Sequence, residues 1–188
     1  MAKASPPPAV KLICGMISAD EALFLRARDE LSRRFGTIDI VSDVMDFDFT
    51  HYYDAEMGSP LKRQFVAFGP LANPDTLAAA KVATNEMEDG LGADRAALAE
   101  AVRNVQRPIN LDVGYVESGK LVLASMKNFS HRVYLRDGVY AEVTLMYQRT
   151  AWRTLPWTFS DYGSGRYWPF LNAVRARLRL QMDEETST

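Results

Sequence analysis

The first half of the chain alternates short apolar runs with stretches of helical periodicity. Residues 11–17 form an apolar run typical of a buried strand, and Phe24, Ala27 and Leu31 then recur at helical spacing until Gly36. Three more strands and a second helix are predicted, at residues 38–44, 64–68 and 109–116 and from Asn73 onward. This order predicts an α+β fold whose N-terminal half is a ferredoxin-like split β-α-β arrangement, with two helices on one face of an antiparallel sheet.

The second half is predicted to add an antiparallel β-hairpin and a C-terminal helix. Asp137-Gly138 is a strong turn signal between strands at residues 132–135 and 139–147. Strict alternation along the second strand would place Val143, Leu145 and Tyr147 on one face. The last helix is predicted to begin near Ser164, and its buried stripe comprises Tyr167, Phe170, Leu171, Val174 and Leu178.

Three boundary predictions complete this organisation. Residues 10–182 are expected to form a single α+β domain, because no repeat or linker divides them. Residues 1–9 are rich in proline and alanine and are predicted to be a disordered lead-in, and residues 183–188 a polar tail. Ser18 and Glu21 have the spacing of a capping box, which predicts that Ser18 caps the first helix.

Composition narrows the function classes without selecting one. The 188 residues include 22 Lys and Arg against 24 Asp and Glu, a balance that argues against a general nucleic-acid binder. No apolar run is long enough to span a membrane, and the N-terminus lacks the apolar core of a signal peptide, so we expect a cytoplasmic protein. One cysteine and two histidines argue against a disulfide, and neither zinc nor haem is expected. Nothing in the composition predicts the oligomeric state.

A sequence between Gly114 and Leu121 resembles a P-loop but lacks one of its functional groups. It matches the pattern Gly-x-x-x-x-Gly-Lys, yet Leu121 stands where a P-loop needs the Ser or Thr that holds magnesium. We therefore interpret it as a turn with an exposed lysine and expect no P-loop nucleotide site.

Two acidic and polar clusters are candidates for binding chemistry. In the first, at residues 46–58, an extended backbone would place Asp48 and Thr50 on one face, near Tyr52, where they could ligate a hard cation or ligand hydroxyls. In the second, Asn110 and Asp112 alternate before a turn that includes Tyr115. The alternative is structural: the aromatic residues anchor a loop, and the acidic side chains hydrogen-bond to their own turns.

A basic cluster lies further along the chain, at residues 125–132. Lys127 and Arg132 are side chains that grip phosphate or carboxylate groups, and His131 could act as a general acid or base. Glu142 and Thr144 are expected opposite them across the hairpin. A structural histidine and a buried Arg132–Glu142 ion pair would explain the same residues without a ligand. The aromatic, proline-containing segment from Trp152 to Tyr162, which includes Asp161, is predicted to be a loop that could line a pocket or cover the core.

Together these motifs make the chain similar to an uncharacterised prokaryotic family, domain of unknown function 4416. The similarity extends from about residue 10 to 181 and rests on these segments: DFTHYY (48–53), EMG (56–58), TNE (84–86), NLDVGY (110–115), KLVLAS (120–125), HRVYL (131–135), AEVTL (141–145) and WTFSDY (157–162). Members usually carry Pro at Val113 and Arg at Gly163, and lack a glycine matching Gly119. The resemblance implies one family-wide domain and no established chemistry.

Two functions from different classes follow. The leading hypothesis is binding of a small anionic ligand, phosphorylated or nucleotide-like, with magnesium-assisted hydrolysis or phosphoryl transfer as the reaction its ligand types favour. Its candidate catalytic residues are His131, Asp48 and Glu142, its metal ligands are Asp48 and Asp112, and its binding residues are Thr50, Tyr52, Asn110, Asp112, Tyr115, Lys127, Arg132, Thr144 and Asp161. The alternative is a non-catalytic protein-interaction or scaffold domain. Whether the chain is an enzyme stays open. Convergence of five of these residues on one cavity would separate the two hypotheses: Asp48, Asp112, Lys127, His131 and Glu142.

Overall fold

A computed structural model describes residues 3–186 of the chain. The strands are β1 (Val10–Ser18), β2 (Ile38–Val41), β3 (Met45–Asp46), β4 (Lys62–Ala72), β5 (Ile109–Glu117), β6 (Lys120–Ser125), β7 (Val133–Arg136), β8 (Val139–Gln148) and β9 (Ala151–Thr154). The helices are α1 (Glu21–Phe35), α2 (Asp54–Met57), α3 (Leu77–Ala93), α4 (Glu100–Arg103), α5 (Ser160–Gly163) and α6 (Trp168–Thr186), with 3₁₀ turns at Pro74–Thr76 and Arg95–Ala97.

The strands form one antiparallel sheet in the order β2-β4-β1-β5-β6-β8-β7, with β3 also paired to β4 and β9 to β8. The first four positions reproduce the strand order expected for a split β-α-β unit, since β1 lies between β4 and β5. The predicted α+β class and its ferredoxin-like N-terminal half are therefore confirmed. The β7–β8 hairpin turns at Asp137-Gly138, where both residues have positive φ, as the Asp-Gly signal predicted.

Helices cover both faces of the sheet. On one face, Phe24 and Leu31 of α1 pack with Leu91 of α3 against β1, β4 and β5. On the other face, Phe170 and Val174 of α6 pack on β1, β4, β6 and β8. The stripe of apolar residues predicted for the last helix is buried as expected. The cavity described below is lined by residues from both faces, including α3 on the first and α5 on the second.

Three local predictions were wrong. Asp20 caps α1 by accepting a hydrogen bond from the Ala22 amide, while Ser18 Oγ donates to the Pro108 carbonyl oxygen, so the capping box does not form. The last helix begins at Trp168 rather than near Ser164, after a separate turn of helix, α5. Residues 151–154 form strand β9, so the loop predicted from Trp152 to Tyr162 begins later than expected.

A β-bulge in β8 overturns the predicted alternation of its side chains. Leu121 pairs with Leu145 but Val122 pairs with Val143, so Thr144 is an extra residue on β8. Leu145 consequently packs on the α6 face, whereas Val143 packs on the face of α1 and α3. Period-2 reasoning from Val139 fails at this point because the bulge shifts every later residue by one.

Strands β5 and β6 separate partway along their length. They share only four residue pairs, from Gly114–Leu123 to Glu117–Lys120, although β6 continues beside β8 to Ser125. Residues 109–113 of β5 pair with β1 alone. At the point of separation a Cβ on Gly114 would lie 2.4 Å from the Val122 carbonyl oxygen, so the close approach requires glycine. We call the opening between residues 109–113 and β6 the β5–β6 fork.

The predicted terminal segments lie partly outside the residues that the structure describes. Residues 3–9 lie outside helices and strands, and residues 1 and 2 of the predicted lead-in lie outside the described residues. Helix α6 continues through residues 183–186, whereas residues 187 and 188 of the predicted polar tail lie outside the described residues. The single domain over residues 10–182 stays a prediction. Over residues 3–186, no helix has both the length and the apolar character needed to cross a bilayer.

Candidate functional site

The β5–β6 fork opens into a cavity of about 630 Å³. Its walls come from β1, β4, β5, β6 and β8, from α3 and α5, and from the segment between β3 and α2. Five cationic and five anionic side chains line it: Arg63, Lys81, Arg107, Lys127, Arg132, Glu88, Asp89, Asp112, Glu142 and Asp161. The site therefore combines many charged groups with little net charge.

Side chains of α3 take the place of the missing strand beside β5. The Leu111 amide donates to Glu88 Oε1 at 2.7 Å, and Lys81 Nζ donates to the Leu111 carbonyl oxygen at 2.9 Å. These bonds satisfy backbone groups that would otherwise face the fork without a partner. Burial raises the pKa of Glu88, which Lys81 and Arg107 partly counteract.

Arg63 is a buried residue of the cavity lining and is held in position by several contacts. Strand alternation in β4 places it on the α6 face, where it is 2% exposed. Its Nη1 donates to Asp112 Oδ2 at 3.1 Å, and its Nη2 donates to Asp161 Oδ2 at 3.4 Å and to the Tyr162 hydroxyl at 3.1 Å. The guanidinium also lies 4.8 Å from the Phe65 ring centroid. These contacts hold two carboxylates in fixed positions.

The charges around Arg63 shift the ionisation of the groups it holds. Burial lowers the pKa of Arg63, but Tyr162, Asp161 and Asp112 outweigh this effect and raise it. For Asp112, burial would raise the pKa, but Arg63 and then Lys81 bring it below the usual range. Asp112 is therefore an ionised carboxylate at neutral pH.

Glu142 organises the opposite wall through a second ion-pair network. Its Oε2 accepts a hydrogen bond from Arg132 Nε at 2.8 Å and lies 2.8 Å from His131 Nε2. Arg132 Nη1 also donates to Ser125 Oγ and to the Lys127 carbonyl oxygen. The His131 ring stacks on Trp157 with centroids 5.2 Å apart and 8° between planes. This network fixes the loop that carries Lys127.

Arg166 contacts the segment that follows β3 at the surface of the protein. Its Nη1 donates to the Asp46 carbonyl oxygen at 2.7 Å and to Asp48 Oδ1 at 2.8 Å. The guanidinium lies 4.5 Å from the Phe49 ring centroid. Phe49 lines the cavity, so this contact joins the segment after β3 to the residues that precede α6.

A comparison with protein families identifies the chain. The model of the family described as Domain of unknown function (DUF4416) matches residues 8–178. The chain belongs to this family. No curated protein and no solved structure matches it significantly.

In this DUF4416 chain the cavity collects most of the predicted binding residues. Seven of the predicted site residues line it: Thr50, Asn110, Asp112, Lys127, Arg132, Glu142 and Asp161. His131 does not line the cavity but contacts Glu142, which does. Thr144 is fully buried at the bulge, with its hydroxyl 3.4 Å from Glu142 Oε1. Of the five residues expected to converge if the site binds a ligand, Asp112, Lys127 and Glu142 line one cavity, whereas Asp48 and His131 do not.

Three predicted residues lie elsewhere. The Asp48 side chain is 65% exposed and pairs with Arg166, so the two carboxylates predicted to share magnesium do not line the same cavity. Tyr52 is exposed and Tyr115 packs among core residues on the face covered by α1 and α3. Within residues 3–186, no three Asp, Glu, His or Cys side chains are grouped so as to hold a metal ion.

Sequence reasoning missed Arg63, Lys81, Glu88 and Arg107. A signal for two of them exists, because Lys81 and Glu88 share the helical stripe of Leu77 and Thr84, where apolar residues are expected. Arg63 lies at the start of a strand that we predicted to begin at residue 64. For Arg107, which pairs with Glu56 and Glu88, we find no local signal.

Proposed function

We propose that this chain binds a small molecule with an anionic group, such as a phosphate, in the cavity at the β5–β6 fork. The observation that carries the proposal is the pairing and exposure of the Lys127 side chain. Among the five cationic side chains that line the cavity, Lys127 forms no ion pair with any residue of the described chain, and it is exposed at the mouth. An exposed ammonium group beside a cavity is available to an anion from solution.

The remaining cations have protein partners. Arg63 is held by Asp112 and Asp161, Arg132 by Glu142, and both Lys81 and Arg107 by Glu88. Buried charges are stable only when they are paired in this way, so these residues support the walls of the site. Of the five cations that line the cavity, Lys127 is the one without an ion-pair partner in residues 3–186.

The size and lining of the cavity support a ligand of metabolite or nucleotide size. A volume of about 630 Å³ lies within the range typical of small-molecule sites. Phe49, Tyr53 and Phe159 supply aromatic surface, while Asn110 and Asp112 can accept hydrogen bonds from ligand hydroxyl groups. The lining is more highly charged than the mostly apolar walls usual for such pockets, which favours a ligand that itself carries charge.

The proposal is limited to binding. A general acid or base at His131 would have to act from behind Glu142, and Asp48 lies outside the cavity. Magnesium-assisted hydrolysis or phosphoryl transfer therefore stays a prediction. We keep the cytoplasm as the proposed compartment, on the ground that the chain has a single, buried cysteine.

A thermal-shift titration tests the proposal. Inorganic phosphate, sugar phosphates and nucleoside monophosphates are added to the full chain at millimolar concentration. A ligand present at about 100 times its Kd stabilises the folded state by about 2.7 kcal/mol, which raises the Tm of a domain this size by roughly 5–10 °C. We expect such a shift with at least one of these ligands.

Two variants make the test specific. Lys127→Ala should reduce the shift to below a third of the wild-type value, because it removes the exposed ammonium group. Lys120→Ala, at the β5–β6 turn and paired with Glu117, should leave the shift unchanged. No shift with any of these compounds would refute the proposal and favour the scaffold alternative.

A further inference from the structure

Four large apolar side chains are exposed at the mouth of the cavity. They are Met126, Phe129, Trp157 and Phe159, each between 38% and 64% exposed, and we call them the mouth patch. Burial of such side chains is favourable, so a group of them left in contact with water indicates a surface that an apolar group covers.

The mouth patch is continuous with the cavity. Met126 and Phe159 line the cavity and are also 44% exposed, so the same side chains belong to the wall and to the surface. The ring centroids of Phe129 and His131 lie 5.2 Å apart, and His131 stacks on Trp157 while its Nε2 lies 2.8 Å from Glu142 Oε2 in the cavity wall. A molecule bound in the cavity can therefore extend over the patch without a break.

Hydrogen bonds also hold parts of the mouth patch in position. Trp157 Nε1 donates to the Val143 carbonyl oxygen at 2.9 Å, and Arg132 fixes the loop that carries Phe129 by bonding to the Lys127 carbonyl oxygen. The indole therefore has its polar atom satisfied within the protein and its apolar ring in contact with solvent. A preformed apolar surface adds affinity because little conformational entropy is lost on binding.

Charge and apolar surface meet at one place. Lys127 lies in the chain between Met126 and Phe129 and lines the cavity at its mouth. We infer that the ligand is an amphiphilic anion, with its charged group at Lys127 and an apolar portion lying on the mouth patch. This inference rests on the proposed function and specifies the chemical class of its ligand.

Isothermal titration calorimetry with n-alkyl phosphates tests the inference. Ethyl, butyl and octyl phosphate carry the same charged group, and each is used below its critical micelle concentration. A fully buried methylene increases affinity about fourfold, and a half-covered one about twofold. Octyl phosphate has four more methylenes than butyl phosphate, so we expect it to bind roughly 16-fold more tightly if each is half covered.

Two matched variants show whether the chain-length effect arises at the patch. Phe129→Ser removes a side chain that is 64% exposed, so the fold should persist while the gain from butyl to octyl falls below about threefold. Leu25→Ser, at a similarly exposed position in α1, should leave the gain at roughly 16-fold. A gain that persists in Phe129→Ser would overturn the inference.

The outcomes separate this inference from the proposed function. If ethyl phosphate binds and lengthening the chain has no effect, the anion site stands and the amphiphilic ligand is wrong. If the patch instead contacts another protein, the chain-length series gives that same flat result. If none of the alkyl phosphates binds, both the proposed function and this inference fail.

Discussion

Arg63 and Lys127 both line the cavity, but they differ in burial and in their partners. The Arg63 guanidinium binds Asp112, Asp161 and the Tyr162 hydroxyl, so its terminal nitrogens are occupied by the protein itself. Lys127 is exposed and has no ion-pair partner in the described part of the chain. Under the proposed function, Arg63 supports the cavity wall and Lys127 is the cation available to a ligand.

The pKa of Asp112 leads to a prediction about acid stability. Because its pKa in the folded state is below the usual value of about 3.9, ionised Asp112 stabilises the fold at neutral pH. That contribution is present above pH 4 and is lost as the pH falls through the folded-state pKa. We expect wild type to lose more unfolding free energy between pH 6 and pH 3 than Asp112→Asn, as measured by urea denaturation at each pH.

Asp137→Asn is the matched control for acid stability. Asp137 is exposed in the hairpin turn with positive φ, a conformation that Asn also accepts. This variant should follow the wild-type pH dependence. If Asp112→Asn also follows the wild-type curve, the Arg63–Asp112 pair does not favour the ionised carboxylate.

At the scale of elements, α3 completes the hydrogen bonding of β5 with side chains. Glu88→Ala would leave the Leu111 amide in the fork without its acceptor, which costs about 1–3 kcal/mol. Glu88→Gln retains an acceptor oxygen and should cost less. Urea denaturation measures both losses, and hydrogen exchange of the Leu111 amide should accelerate more in the Ala variant than in the Gln variant.

The two substitutions distinguish hydrogen bonding from charge at Glu88. Equal losses in Glu88→Ala and Glu88→Gln would show that the charge facing Lys81 and Arg107 matters and that the bond to Leu111 does not. A smaller loss in Glu88→Gln supports the role of α3 as a substitute for a neighbouring strand.

Elements defined by local patterns could be predicted, whereas those that depend on pairing could not. The Asp137-Gly138 turn and the buried stripes of α1 and α6 follow from residues close in the chain. The bulge at Thr144 depends on how β6 and β8 pair, and no local signal marks it. The β5–β6 fork likewise arises from strands that stop pairing, so the cavity itself was not predictable.

At the scale of the whole molecule, Lys11 joins three parts of the chain. It is fully buried in β1, and its Nζ donates to Asp39 Oδ2, to the Phe68 carbonyl oxygen and to Gln181 Oε1 of α6. Lys11→Met should lower the unfolding free energy by about 2–4 kcal/mol, because it leaves these acceptors without their donor. Urea denaturation measures the loss.

A second lysine near the N-terminus provides the control for Lys11→Met. Lys3 is exposed and lies before β1, so Lys3→Met should change the unfolding free energy by less than about 0.5 kcal/mol. If Lys11→Met proves no more costly than this control, the three bonds of Lys11 do not hold α6 to the sheet.

Charged residues inside the molecule explain which part of the site escaped sequence analysis. Lys11, Arg63 and Lys81 occupy positions where periodicity predicts apolar side chains, and each is stable there because of partners distant in the chain. The polar clusters at residues 110–112 and 127–132 could be identified, since their composition alone marks them. The residues that support them could not, because their role depends on the assembled sheet.

The β5–β6 fork also determines what limits the width of the site. Only four residue pairs hold β5 to β6, and beyond Gly114 the two strands follow different neighbours, β1 and β8. The gap between the two strands therefore begins where their pairing stops, at Gly114. If the cavity binds a ligand as proposed, a larger residue at Gly114 should change how large a molecule can enter, whereas a substitution in the lining should change which contacts that molecule makes.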